Sequence, residues 1–142
     1  MPDGTGAVNA EGACFYNDLV DELLKYGITP WVTVYHWDLP RKLFEEGGFL
    51  NDKISDYFAD YARTVVEMFG EKVSNYIIFN EPQVVVEDGH FTGAHAPFLQ
   101  LSRSDVFRVA HNVLLCIGKA GKAMRKAAKH KLNLGVSPCF TP

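Results

Sequence analysis

The sequence predicts an α/β fold, in which three parallel strands alternate with three helices as one arc of a larger barrel. Three observations predict it. Segments of helical apolar period alternate with short apolar runs, in the order helix-strand-helix-strand-helix-strand. The strand-like runs show no polar alternation, the pattern of strands covered on both faces in parallel sheets. Two of the runs end abruptly in polar clusters, at His36-Trp37-Asp38 and at Asn80-Glu81. Such alternation implies right-handed crossovers. Three strands alone would leave both outer strands with unpaired N–H and C=O groups. A closed eight-stranded barrel takes about 250 residues, so this chain of 142 residues reads as a single segment, 1–142, of such a barrel.

The first helix spans Glu11 to Lys25, where Phe15, Leu19, Val20, Leu23 and Leu24 recur at helical spacing. Asn9 is available as its N-cap and Gly27 takes the chain out of it. The first strand, Thr29 to Tyr35, is rich in β-branched and aromatic residues. A loop with Gly47-Gly48 follows, then a second amphipathic helix marked by Ile54, Phe58, Tyr61, Ala62, Val65 and Phe69 that stops at Gly70. The second strand is Tyr76 to Asn80. From Glu81 to Leu101 the period is lost among Pro82, Gly89, Gly93 and Pro97, which reads as a long loop of the kind that often carries function. Ser102 and Asp105 form a capping-box variant at the head of the third helix, where Gly118 and Gly121 allow close packing. Leu132 to Val136 starts the last strand.

Composition narrows the class. Nearly half the residues are apolar and the net charge is only −3. Lys and Arg thicken only near the third helix's C-terminus, where cations suit the helix dipole, so nucleic acid is not expected as a partner. Cys14, Cys116 and Cys139 are odd in number and form no C-x-x-C pair, which fits a reduced compartment, the cytoplasm. No apolar stretch approaches the roughly 20 residues of a membrane span, and the N-terminus does not read as a leader.

Glu81 is the central candidate for chemistry. It follows the buried run Tyr76-Ile77-Ile78-Phe79, and polar groups at strand ends are where barrels of parallel strands keep their catalysts. A carboxylic acid there could protonate the leaving oxygen of a glycosidic bond, and the Asn80 amide could hold a sugar hydroxyl. The alternative is a solvated turn residue before Pro82; the apolar strand behind it and the long loop ahead weigh toward function. His36 and Trp37 pair a hydrogen-bonding ring with a flat apolar face, which suits a sugar. Packing residues would show the same pattern, and both readings stand. Asp38 reads as holding its loop through backbone hydrogen bonds, with a catalytic role as the alternative. His90, His95 and His111 fit no familiar ligand spacing, so no metal or other cofactor is expected. Gly4-Thr5-Gly6 follows no strand and is not a phosphate loop.

Val34-Tyr35-His36-Trp37-Asp38-Leu39-Pro40, Gly47-Gly48-Phe49-Leu50-Asn51 and Phe79-Asn80-Glu81-Pro82 together resemble the central motifs of the family 1 glycoside hydrolases, the retaining β-glucosidases and their relatives. Gly93-Ala94-His95-Ala96-Pro97 and Ala110-His111-Asn112 resemble further family segments in order and spacing. The resemblance implies a (β/α)8 TIM barrel, of which this chain covers roughly the third to fifth strands. It implies Glu81 as the general acid/base, Asn80 on the glycone 2-hydroxyl, His36 on another glycone hydroxyl and Trp37 shaping the pocket. A β-glucoside or related β-glycoside is then the substrate. Three positions depart from the family: Gln83 where Trp is frequent, Phe91 where Tyr is commoner, and Phe98 in place of a Gly.

The family's nucleophile, a Glu in a Thr-Glu-Asn-Gly-like motif, has no counterpart here. A retaining mechanism needs two carboxyl groups about 5–5.5 Å apart. The isolated chain is therefore expected to be inactive. Two other roles compete: a weak sugar-binding surface built from His36, Trp37 and Asn80, and a segment that associates with itself or with missing barrel segments through its open strand edges.

Overall fold

The computed structural model describes residues 1–140. Its first half runs α1 (Ala10–Lys25), β1 (Trp31–Tyr35), α2 (Arg41–Glu45), α3 (Ile54–Phe69) and β2 (Asn75–Asn80); α4 (Pro82–His90), α5 (Arg103–Ala127) and β3 (Asn133–Ser137) follow. The strands form one parallel sheet in the order β1-β2-β3. The predicted arc of alternating strands and helices is present, and its sheet is open at both sides.

Two of the three predicted helices start at the caps their sequence offers. The Asn9 side chain accepts the Gly12 N–H of α1 at 3.0 Å. At the head of α5, Ser102 Oγ accepts the Asp105 N–H at 3.2 Å and donates to the Asp105 carboxylate at 2.8 Å. The apolar stripe of α3 is buried at Ile54, Phe58, Ala62, Val65, Val66 and Phe69, and α3 packs along α5. Between these helices and the sheet lies the core, with Phe79, Tyr76, Val109, Cys116 and Met124 all at 0% exposure. Burying a side chain such as Phe79 contributes about 1.5–3 kcal/mol. A Cβ at Gly121 would meet Ile78 Cδ1 at 3.4 Å, an ordinary contact, and one at Gly118 would face open space, so, contrary to the expectation from sequence, neither glycine is needed for α5 to pack on the sheet.

Two bonds lock the loop after β1 and the base of the sheet. The Asn112 amide of α5, itself buried, donates to the Phe49 carbonyl at 2.8 Å. Asn133 donates to the Asn75 side chain at 2.8 Å, where β3 and β2 pair.

Three other expectations need correction. Glu81 to Leu101 is not one long loop, because its first half is the helix α4. Pro82 opens that helix, at a position where its fixed φ suits the first turn and its missing N–H is not needed. The valines at 84–86 and Gly89 hid it, since both residue types are weak helix formers. The Gly47-Gly48 loop likewise contains α2 and a single 3-10 turn at Gly48–Leu50.

The second correction concerns coverage. Strand β1 begins at Trp31 rather than Thr29, and it is not covered on both faces: Trp31 is 62% exposed. Phe15, Tyr16, Leu19 and Leu24 on α1 are exposed too, leaving Val20 as its buried residue. Their apolar period is genuine, but of that face only Val20 is buried against the core. Third, Asp38 makes no hydrogen bond to its loop among the described residues; it is exposed at the rim of a cavity beside Tyr35, so solvent rather than backbone N–H groups surrounds its carboxylate.

Candidate active site

The carboxyl ends of β1 and β2 bring His36, Trp37, Asn80 and Glu81 into one neighbourhood, at the sheet end where parallel α/β folds place their chemistry. Two local devices aim these residues. In β2, Ile77 pairs with Gly135 and Asn80 with Ser137, so three steps on β2 oppose two on β3. An extra residue of this kind re-aims the side chains beyond it. Tyr76, Ile78 and Phe79 are accordingly buried, whereas Ile77 and Asn80 are half-buried. In β1, the backbone turns sharply after His36, and Trp37 takes φ +78°.

Glu81 is half-buried and sits at the N-cap of α4 in the left-handed region, φ 44° and ψ 61°. Left-handed backbone costs a non-glycine residue roughly 1–2 kcal/mol, so neighbouring bonds must hold it there. The Glu81 N–H donates to the Ser137 carbonyl at 2.7 Å. Its carbonyl accepts the N–H groups of Val84 and Val85 at 3.0 and 3.2 Å. The carboxylate takes no part in capping α4.

Trp37 reaches across the strand ends. Its indole N–H donates to the Asn80 carbonyl at 3.1 Å. Exposed His36 stands edge-on to the Trp37 ring at 5.6 Å between centroids, and His95 lies against it at 5.3 Å. The sequence reading missed His95 as a member of this cluster; its place in the Gly93-Ala94-His95-Ala96-Pro97 segment was the available signal. Ser137 was missed as well, and it acts through a carbonyl that every residue has.

Behind Trp37 the support is apolar. Tyr35 lies 4.5 Å from Phe79 between ring centroids, and Phe49 and Phe58 meet both edge-on or tilted. Burial, and after it the negative charge of Asp38, pushes the Tyr35 hydroxyl well above its ordinary pKa. Buried His90 bonds the Val85 carbonyl through Nδ1 at 2.7 Å, and burial lowers its pKa. His90 is thus a neutral brace inside α4. A cavity of about 180 Å³ opens among Tyr35, Asp38, Leu43, Phe58 and Tyr61, but neither Glu81 nor Asn80 lines it, so it lies apart from the candidate chemistry.

Among the described residues no group of three or more His, Cys, Asp or Glu side chains could hold a metal ion. No described helix is long and apolar enough to cross a membrane.

Residues 1–139 match the family described as Glycosyl hydrolase family 1. Beta-glucosidase A of Thermotoga maritima is 47% identical over 132 residues, covering 91% of this chain and 29% of that protein. Beta-glucosidase A of Acetivibrio thermocellus is 44% identical over 126 residues, covering 89% of this chain and 28% of that protein. The solved β-glucosidase from Thermotoga maritima in complex with noeuromycin superimposes with a TM-score of 0.91 at 46% identity, covering 95% of this chain and 30% of that one. The chain thus spans under a third of the length of these relatives.

Proposed function

Because the chain belongs to glycosyl hydrolase family 1, we propose that it carries the acid/base half of a retaining β-glycosidase acting on β-glucosides. Glu81 is the proton donor to the leaving oxygen and later the base that activates water. Asn80 binds the glycone 2-hydroxyl, His36 another glycone hydroxyl, and Trp37 walls the pocket. The observation that carries this reading is the place of Glu81: a half-buried carboxylate directly beyond the carboxyl end of β2, adjoining Asn80 and close to the end of β1.

The covalent step requires a second carboxylate about 5–5.5 Å away, and the chain carries no nucleophile motif of the family. Alone, it is inactive; the reaction belongs to the chain together with further barrel segments. An aryl β-glucoside assay of the purified chain against Glu81→Gln tests this. The expected result is no turnover above that control, and Glu81-dependent turnover would overturn the proposal of a missing nucleophile.

A second reading has its own support. Phe15, Tyr16 and Leu19 on α1, Tyr26 at its C-cap and Trp31 on β1 are all exposed, and contiguous exposed apolar surface marks association sites. In this reading the segment associates with itself or with the segments that complete the barrel, while His36, Trp37 and Asn80 retain weak affinity for sugar. The three free thiols, Cys14, Cys116 and Cys139, fit a cytoplasmic setting. Light scattering measures the association, and a monomer across the micromolar range would count against it.

A further inference from the structure

The Asn80 carbonyl and the Glu81 N–H are the two polar atoms of a single peptide group, and different strands hold them. Trp37, beyond the end of β1, binds the carbonyl through its indole N–H at 3.1 Å. Ser137, the last residue of β3, accepts the N–H at 2.7 Å. The last backbone pair between β1 and β2 is Tyr35 with Phe79. At the next position β1 has already turned away, since Trp37 is at φ +78°. The indole therefore supplies the hydrogen bond that the departing backbone no longer offers, and the ladder continues for one more rung through a side chain.

We propose that Trp37 is a positioning residue for Glu81, acting through the Asn80–Glu81 peptide rather than by donating a hydrogen bond to sugar. Indole has one N–H and no acceptor. With that donor committed to Asn80, the ring offers a ligand only its faces and edges. Bound from both sides, the peptide plane cannot rotate, and the Glu81 carbonyl is fixed in turn by Val84 and Val85. Left-handed backbone at a non-glycine residue persists only where its surroundings over-determine it, and these bonds are that over-determination. The role of Trp37 in catalysis rests on Glu81 being the proton donor; the pinning of the peptide does not.

The test is NMR of the free chain, so its result is independent of whether any glycoside is cleaved. Trp37→Phe keeps an aromatic body and deletes the donor, while Trp31→Phe alters an exposed indole elsewhere on β1. Expected for Trp37→Phe is an unchanged core spectrum, displaced Glu81 Cα and carboxyl carbon shifts, and Glu81 amide exchange about tenfold faster. Trp31→Phe should leave Glu81 unmoved. Benzothienylalanine at position 37, an indole shape without the N–H, should reproduce the displacement and separates the donor from the ring if Trp37→Phe folds poorly. Glu81 resonances that stay in place without the donor would overturn the proposal.

Discussion

Replacing Asn112 by leucine removes one hydrogen bond and keeps the same number of side-chain heavy atoms, which makes it a measure of how firmly α5 holds the loop beneath the strand ends. The Asn112 side chain is buried and donates at 2.8 Å to the carbonyl of Phe49, which is buried as well. Leucine leaves that carbonyl without its partner. An unsatisfied buried acceptor costs about 1–3 kcal/mol, more than the net value of the bond itself. Taking about 2 kcal/mol, the midpoint of thermal unfolding should fall by roughly 6–8 °C for a chain of this size. Against a total stability of about 5–15 kcal/mol this is a substantial loss. Urea or thermal unfolding followed by circular dichroism measures it, with exposed His111→Ala as the neighbouring control, expected within about 0.5 kcal/mol of the parent. Asn112→Ala should be worse than leucine because it also opens a cavity. If Asn112→Leu unfolds together with His111→Ala, the Phe49 carbonyl is not stranded and the reasoning fails.

Three further outcomes are expected. Phe98 sits at φ +59° and is 68% exposed, so Phe98→Gly should be about 0.5–1 kcal/mol more stable than Phe98→Ala in denaturant titration, the relief of left-handed strain exceeding the entropy of glycine. A Cβ at Gly4 would lie 2.3 Å from Leu43 Cδ1, whereas one at Gly6, at nearly the same φ, meets nothing; Gly4→Ala should therefore cost about 1 kcal/mol more than Gly6→Ala in the same titration. Burial lowers the His90 pKa below its ordinary 6.5, so the unfolded chain binds more protons there and stability rises with pH between the folded value and 6.5. That contribution is complete above about pH 6.5 and disappears as pH falls toward the folded value. His90→Phe should flatten this part of the profile, and an unchanged slope would count against a neutral His90.

Much of the architecture was legible because local chemistry and tertiary structure agree. Asn9 and Ser102 cap the helices they were expected to cap, and the apolar period of α3 is the face that the core takes up. Helix α4 was not legible: valine and glycine argue against helix locally, and packing against α5 together with the Val85–His90 bond overrides them. The apolar residues of α1 signal a face to be covered without stating what covers it, so their exposure could not be read from spacing. In the site, Glu81, Asn80, His36 and Trp37 were found because their side chains are distinctive at the ends of apolar runs. The pinned peptide was not, since the extra residue in β2 and the carbonyl of Ser137 are backbone events that leave no mark on residue identity.

The shared direction of the three strands also restricts how one copy could add to another. A two-fold rotation that sets β1 against β1 must either reverse the strand direction or carry the helices to the opposite face. Only head-to-tail addition, β3 of one copy beside β1 of the next, preserves both. Heterologous contacts of that type do not terminate by themselves: they grow into filaments unless the curvature of the sheet brings the last margin back to the first.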